Sequence, residues 1–330
     1  MRQAMLQLFG LLLVAAGAAG TACTVSAQPY PYKPIRIIVP YPPGSGTEFT
    51  AREVAQLFTK ALGQQVVIDT RPGAGATLGH ALAAKSAPDG YTLLLATAGG
   101  LSTGPALMGS KIPYDPLKDF APIGLATYVP YALAVTSGLQ ARNVKELVDL
   151  AKAAPGKLNV ASPGVGTPNH LGAAQLMTLT GIELVHVPYK GSTLALTDVI
   201  AGNVQMVVTG LLQLLPYHQA GKLRILGVGH MQRVKAYPDI PAINESIPGY
   251  YNTGWWGIAG PAALPKPIID KLSAIMMAGL TQPDVAQRFE RNGLEVASST
   301  PQGLRDLIES DLNLWKKIIR DARISVDVLP

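Results

Sequence analysis

A compact apolar run that stops at prolines or glycines, then passes into a stretch with helical spacing, recurs along this chain. It occurs first at Ile35-Arg36-Ile37-Ile38-Val39, which ends at Pro40 and Pro42-Pro43-Gly44. Ala51, Val54, Ala55, Leu57 and Phe58 then supply one apolar face of a helix expected over 47–62. Strands buried on both faces read as continuous apolar runs, and the helices that cover them read as period 3.6. Further strands are expected at 65–68, 91–96, 131–135, 158–160, 182–187, 204–208, 223–228 and 250–258. Helices are expected at 78–84, 143–153, 167–180, 192–201, 211–220, 266–280, 284–292 and 301–322. In the last of these, Leu304, Leu307, Ile308, Leu312, Trp315 and Ile319 form one stripe. The alternation specifies an α/β fold with a largely parallel sheet.

The first 27 residues do not fit this pattern. They carry one charge, Arg2, followed by an apolar stretch from Leu6 to Val14 and then by Ala and Gly. Val25-Ser26-Ala27 places small residues where signal peptidase cuts, so residues 1–27 read as a secretory signal peptide. A membrane anchor is the rival, but the apolar stretch is short, and elsewhere no run reaches the roughly 18 residues a span needs. The single cysteine, Cys23, lies in this segment and is lost on cleavage. Lipidation at Cys23 is the alternative; Gly20-Thr21-Ala22 lacks the Leu-like residue such sites carry three places upstream. One cysteine excludes a disulfide framework and any thiolate metal cluster. The net charge of +6 is spread along the chain without a Lys/Arg run, so no nucleic-acid partner is expected.

Three glycine-rich turns carry the chemical suggestions. In Val39-Pro40-Tyr41-Pro42-Pro43-Gly44-Ser45-Gly46-Thr47-Glu48 a strand ends in a loop that opens a helix. Glycine lets backbone approach a ligand, and free N–H groups at a helix start favour an anion. An ordinary strand–helix turn capped by Thr47 is the plain alternative. Gly73-Ala74-Gly75-Ala76-Thr77-Leu78-Gly79 imitates a dinucleotide loop, but its spacing is GxGxxxG and no acid ends a following strand. Gly100-Leu101-Ser102-Thr103-Gly104 matches the GxSxG of α/β hydrolases, which keeps a secreted esterase using Ser102 as an alternative. Pro105 follows it at once, and no His stands in a terminal-loop setting. The five histidines, 80, 170, 186, 218 and 230, make no metal-binding spacing, so neither a metal nor a cofactor is expected.

Six phrases in order resemble one family. They are PYPPGSGTEFTAR (40–52), RPGAGATLG (71–79), PDGYTLLLAT (88–97), SPGVGTPNHL (162–171), VPYKGSTLALTDVIAGNVQMV (187–207) and AGKLRILGVG (220–229). Over about 32–322 the chain resembles the tripartite tricarboxylate transporter substrate-binding receptors, or Bug receptors. The resemblance implies a type II-like periplasmic binding fold, with two α/β domains, a ligand cleft and a hinge between them. Domain 1 would be 28–129 plus 251–330, and domain 2 would be 130–250. It implies no catalysis. The function implied is capture of a small carboxylate in the periplasm and delivery to the membrane permease components of a tripartite transporter, or to a sensor.

Carried over position by position, the resemblance implies first-domain contacts at Tyr41, Gly44, Ser45, Gly46 and Thr47, with Thr97 and Ala98. Second-domain contacts would be Ser162, Gly166, Thr167, His170, Tyr189, Lys190, Gly191 and Thr209. The first set would grip the shared carboxylate, and the second would read the distal end. The sequence departs from the family at Ser45, where Gly is usual, and at Glu48, where Asp is usual. It also has Thr209-Gly210 where relatives often carry Asp. Loss of that acid argues against an ammonium-bearing ligand. Tyr41, Tyr131 and Tyr189 fit an apolar or aromatic body, so a dicarboxylate or an aromatic acid is expected.

Overall fold

The computed structural model describes residues 29–234, 236–321 and 324. The expected cleavage site and Cys23 lie outside the described residues. The chain divides into a unit up to Tyr32 and a unit from Lys33 onward. Residues 29–32 of the first unit are irregular backbone, and the described strands and helices belong to the second.

In that unit β1 (Ile35–Val39), α1 (Gly46–Leu62), β2 (Val66–Thr70), α2 (Thr77–Ala84) and β3 (Thr92–Thr97) alternate as expected. A π-turn, Gly99–Thr103, and the short α3 (Gly104–Met108) lead to β4 (Phe120–Thr136). Then follow α4 (Val144–Ala153), β5 (Leu158–Ser162), α5 (Pro168–Thr180), β6 (Leu184–Pro188) and α6 (Ser192–Ala201). After them come β7 (Met206–Gly210), α7 (Leu211–Gln219) and β8 (Leu223–Val228). The chain closes with β9 (Thr253–Pro261), α8 (Lys266–Leu280), α9 (Pro283–Arg291), β10 (Glu295–Val296) and α10 (Pro301–Asp321).

The sheet is mixed, which corrects the expectation of a largely parallel one. β1 runs parallel to β2 and β3, and β5 runs parallel to β6 and β7. β9, however, pairs antiparallel with both β3 and β4, and β4 pairs antiparallel with β7, β8 and β10. Strand direction leaves no mark on a run buried on both faces. β9 is buried at every position, so it reads like a parallel core strand.

β4 is the element that organises the molecule. Up to Pro130 it pairs with β9, with Pro130 opposite Thr253. From Tyr131 it pairs with β7, with Tyr131 opposite Gly210, and β8 takes its other edge. Proline has no N–H to give to a ladder, and the change of partner falls at Pro130. The strand expected at 131–135 is therefore the far end of a longer one. The chain passes back beside it: Gly229 N donates to the Tyr131 carbonyl at 2.7 Å, and Asn252 N to the Gly229 carbonyl at 2.7 Å.

Each side of this changeover has its own apolar core. One gathers Ile38, Leu94, Leu101, Phe120, Trp255 and Leu304. The other gathers Ala134, Val199, Val207, Leu211, Leu214 and Ile225. Each large side chain fully buried in this way stabilises the fold by about 1.5–3 kcal/mol. The result is two α/β domains with separate cores and a shared strand. Trp255 Nε1 donates to Asp311 Oδ2 at 2.9 Å, which ties α10 to β9 inside the first core. Among the described residues no helix is long and apolar enough to cross a membrane.

Candidate functional site

A cavity of about 210 Å³ lies where the carboxyl ends of β1, β3 and β7 meet the changeover in β4. Open α/β sheets place ligand crevices at such strand ends.

The first wall is the loop into α1. Ser45, in extended conformation, is the N-cap and accepts from Glu48 N at 3.4 Å. The cap is therefore Ser45 rather than Thr47. The Ser45 hydroxyl donates to the Pro42 carbonyl at 2.8 Å and lies 2.6 Å from Thr47 Oγ1. Glu48 reaches back to accept from Gly44 N at 2.6 Å, while Arg52 Nη2 donates to its other oxygen at 2.6 Å. The Gly44 N–H, and secondarily Arg52, hold the Glu48 carboxyl below the usual range. With Gly44 and Glu48 N–H engaged, those of Gly46 and Thr47 have no protein partner among the described residues. First-turn helical N–H groups find none within their own helix. They stand at the positive end of a 17-residue helix, on the cavity wall.

Behind this wall the packing is tight. A Cβ on Gly46 would lie 2.8 Å from Trp256 Cη2, so only glycine fits there without displacing the indole. Burial pushes the Tyr41 phenol up to about 12, against a hydrogen bond with Thr97. His80 sits beneath, fully buried, with Nδ1 2.9 Å from the Ala76 carbonyl and Nε2 accepting from Thr97 N at 3.4 Å. Burial holds its pKa down to about 4, so it is a neutral core histidine.

The second wall comes from the other sheet. Thr209, at the end of β7, donates from Oγ1 to Gln213 Oε1 at 2.8 Å. Gly210 opens α7 without a side-chain cap. Asn169, in the first turn of α5, donates from Nδ2 to the Val208 carbonyl at 2.9 Å. Pro163 and Ser192 border the same wall. Val129, Pro130 and Tyr131 of β4, with Trp256, Asn292, Gly293 and Leu294, close the remaining sides. No lining side chain carries a formal charge.

Of the positions named from sequence, the cavity gathers Tyr41, Gly44, Ser45, Gly46, Thr47, Thr97 and Thr209. Ala98 packs into the first core instead. Ser162, Gly166, Thr167 and His170 are not among the lining residues; they flank and brace the loop that carries Pro163. Ser162 Oγ is 2.6 Å from His186 Nε2, and Thr167 caps α5. Gly166 N donates to His170 Nδ1 at 3.3 Å, and the His170 and His186 rings lie tilted at 36° with centroids 4.4 Å apart. Burial first, then the neighbouring His186, lowers His170 to about 3, so Nδ1 accepts and the ring is neutral. Tyr189 turns its hydroxyl to Asp198 Oδ2 at 2.6 Å, Lys190 is exposed, and Gly191 precedes α6. Thr103 Oγ1 donates to the Gly166 carbonyl at 3.1 Å, joining the π-turn to this loop.

Sequence reasoning missed Asn169, Gln213 and the turn of Asn292, Gly293 and Leu294. A signal existed for Gln213: it lies in the first turn of the helix expected at 211–220, just past a strand end where α/β folds place ligands. None existed for the 292–294 turn, which reaches the cavity only by tertiary folding. The GxSxG serine, Ser102, is fully buried in the π-turn beside the Asp311 carboxyl, not on a strand–helix elbow at the cavity.

Fold and cavity together define a two-domain solute-binding receptor. The profile of the tripartite tricarboxylate transporter family receptor matches residues 50–324, and the chain belongs to that family of periplasmic solute-binding receptors, which are not enzymes. Protein BugT of Bordetella pertussis is 32% identical over 319 residues, covering 96% of this chain and 98% of BugT. A protein of R. palustris solved with adipate superposes with a TM-score of 0.85 at 30% identity, over 90% of this chain and 99% of that one. MatC from Rhodopseudomonas palustris with bound malate gives a TM-score of 0.81 at 29% identity, over 88% of this chain and 100% of that one.

Proposed function

We propose that this receptor captures a small carboxylate without an ammonium group, a dicarboxylate or an aromatic acid, in the cavity between its two domains. The carrying observation is the wall at 44–47: unpartnered N–H groups of Gly46 and Thr47 open onto a cavity with no charged side chain. An anion is stabilised there by backbone dipoles. An ammonium would have no carboxylate to pair with, and an unpaired buried charge is costly. That relatives were solved with adipate and malate supports the same class.

In this reading domain 1 is 28–129 plus 251–330 and domain 2 is 130–250, with closure about the changeover at Pro130. Tyr41, Gly44, Ser45, Gly46, Thr47 and Thr97 hold the common carboxylate. Thr209 meets the distal end. Ser162, Gly166, Thr167 and His170 shape the loop that presents Pro163 and Asn169. A signal peptide cleaved after Ala27 exports the chain. The membrane components of a tripartite transporter receive the ligand, and the family assignment supports them as partners. Calorimetric titration against carboxylates and amino acids tests the ligand class. Binding of carboxylates lacking an amine is expected, and a receptor that bound only amino acids would refute the reading. Uptake of the bound acid in cells lacking the permease tests delivery: it should disappear, and unchanged uptake would refute that step.

A further inference from the structure

Gln213 lies on the cavity wall in the first turn of α7, half-buried. Its amide is oriented by a residue with no freedom of its own. Thr209 is wholly buried and donates to Gln213 Oε1 at 2.8 Å, so the oxygen end is spoken for. The Nε2 end has no partner among the described residues. The cavity therefore presents hydrogen-bond donors from both domains: backbone N–H groups of Gly46 and Thr47 on one side and this amide on the other. Between them stand apolar and aromatic surfaces, Tyr131, Leu211 and Trp256.

We propose that Gln213 sets specificity by reading the far end of the ligand, and that it selects a dicarboxylate over a monocarboxylate of the same length. The inference rests on the carboxylate-receptor reading and deepens it. A second carboxylate or carbonyl satisfies Nε2. An acid ending in a methyl group or a bare ring buries that donor unpaired, and an unsatisfied buried donor is penalised more than a made hydrogen bond is rewarded. A lysine or arginine would hold the same group more tightly, but the wall has neither. Discrimination by a single neutral amide is therefore expected at roughly tenfold or more.

The test is calorimetric titration of matched acids that differ at one end only: succinate with butyrate, glutarate with pentanoate, adipate with hexanoate. The wild-type protein should bind at least one dicarboxylate about tenfold more tightly than its partner. Gln213→Leu should bring that pair within about threefold, and Gln213→Glu should weaken the dicarboxylate more than the monocarboxylate. Thr209→Val leaves Gln213 in place but frees its amide. It should narrow the preference too, and it serves if thermal melting shows the Gln213 variants misfolded. A preference that survives in Gln213→Leu and Thr209→Val overturns the assignment. Monocarboxylates that bind wild type as well as dicarboxylates overturn it while leaving the carboxylate reading intact. If no acid of either series binds but an aromatic acid does, the assignment falls and the carboxylate reading stands; if aromatic acids fail as well, both fall.

Discussion

The two walls of the cavity are made differently. The wall at 44–47 is tied to itself: Glu48 takes the Gly44 N–H, Ser45 bonds Pro42 and Thr47, and Trp256 fills the space where a Gly46 side chain would stand. The wall at 209–213 has an uncapped helix start and one side-chain hydrogen bond, Thr209 to Gln213. A wall that offers backbone groups in a rigid frame suits the part all ligands share. A wall that offers side chains on a sparsely braced turn suits the part in which ligands differ.

The largest expected effect is on the first wall. Gly46→Leu forces the side chain into Trp256 and displaces the N–H groups, so every carboxylate should lose about a hundredfold in affinity or more by calorimetry. A loss confined to one class of acid would break the division of roles. Next is the Asp311–Trp255 bond inside the first core. Burial raises the Asp311 carboxyl to about 6, above its value in the unfolded chain. A raised acid favours the folded state when protonated. This contribution is thus full below about pH 4 and is lost as pH rises through about 6, amounting to roughly 2–3 kcal/mol. Denaturant melts across pH 4–8 should show this slope in wild type and lose it in Asp311→Asn; equal slopes would refute the assignment.

Packed against the second wall, Gly293 has φ +60, and a Cβ there would lie 2.7 Å from Leu212 Cβ. Gly293→Val should destabilise by about 1–3 kcal/mol in thermal melts. It should also push Leu212 outward, and so shift the ranking of ligands more than their common affinity; a uniform loss would blur the comparison. The smallest effect is expected at Glu48, whose partner Arg52 is largely solvent-exposed. Glu48→Gln should change stability by less than about 1 kcal/mol. Because its folded pKa is depressed, its contribution is present at neutral pH and fades as pH falls through that value. A large loss of affinity in this variant would mean that the first wall depends on Glu48 more than its frame suggests.

The sequence made much of this legible where chemistry is local. The proline and glycine stop after Val39, and the helix that follows, are both dictated within one stretch, and the observed α1 begins one residue before the expected start. Thr209 follows the strand expected at 204–208, but it is the family resemblance, not local chemistry, that marks it as a contact. The misreadings are tertiary. The stretch of β4 up to Pro130 contains Pro122, Gly124 and Pro130, each a break signal by local rules, yet the strand continues because β9 pairs along it, with register shifts between Pro122 and Gly124 and between Leu125 and Thr127. Trp256 packs on Gly46, and its place on the cavity wall depends on β9 lying beside β3. The Asn292 turn lies about 250 residues from Gly46, and no periodicity joins them.

The continuity of β4 through Pro130 also bears on modularity. One strand belongs to both sheets, and the first domain is completed only by β9, which comes after the whole of the second. Cutting at Pro130 would leave β3 with an open edge and β9 without its neighbours, and such edges are templates for aggregation. This receptor cannot be reduced to interchangeable halves: swapping the wall at 209–213 between relatives must be done by grafting loops, not by exchanging segments of chain.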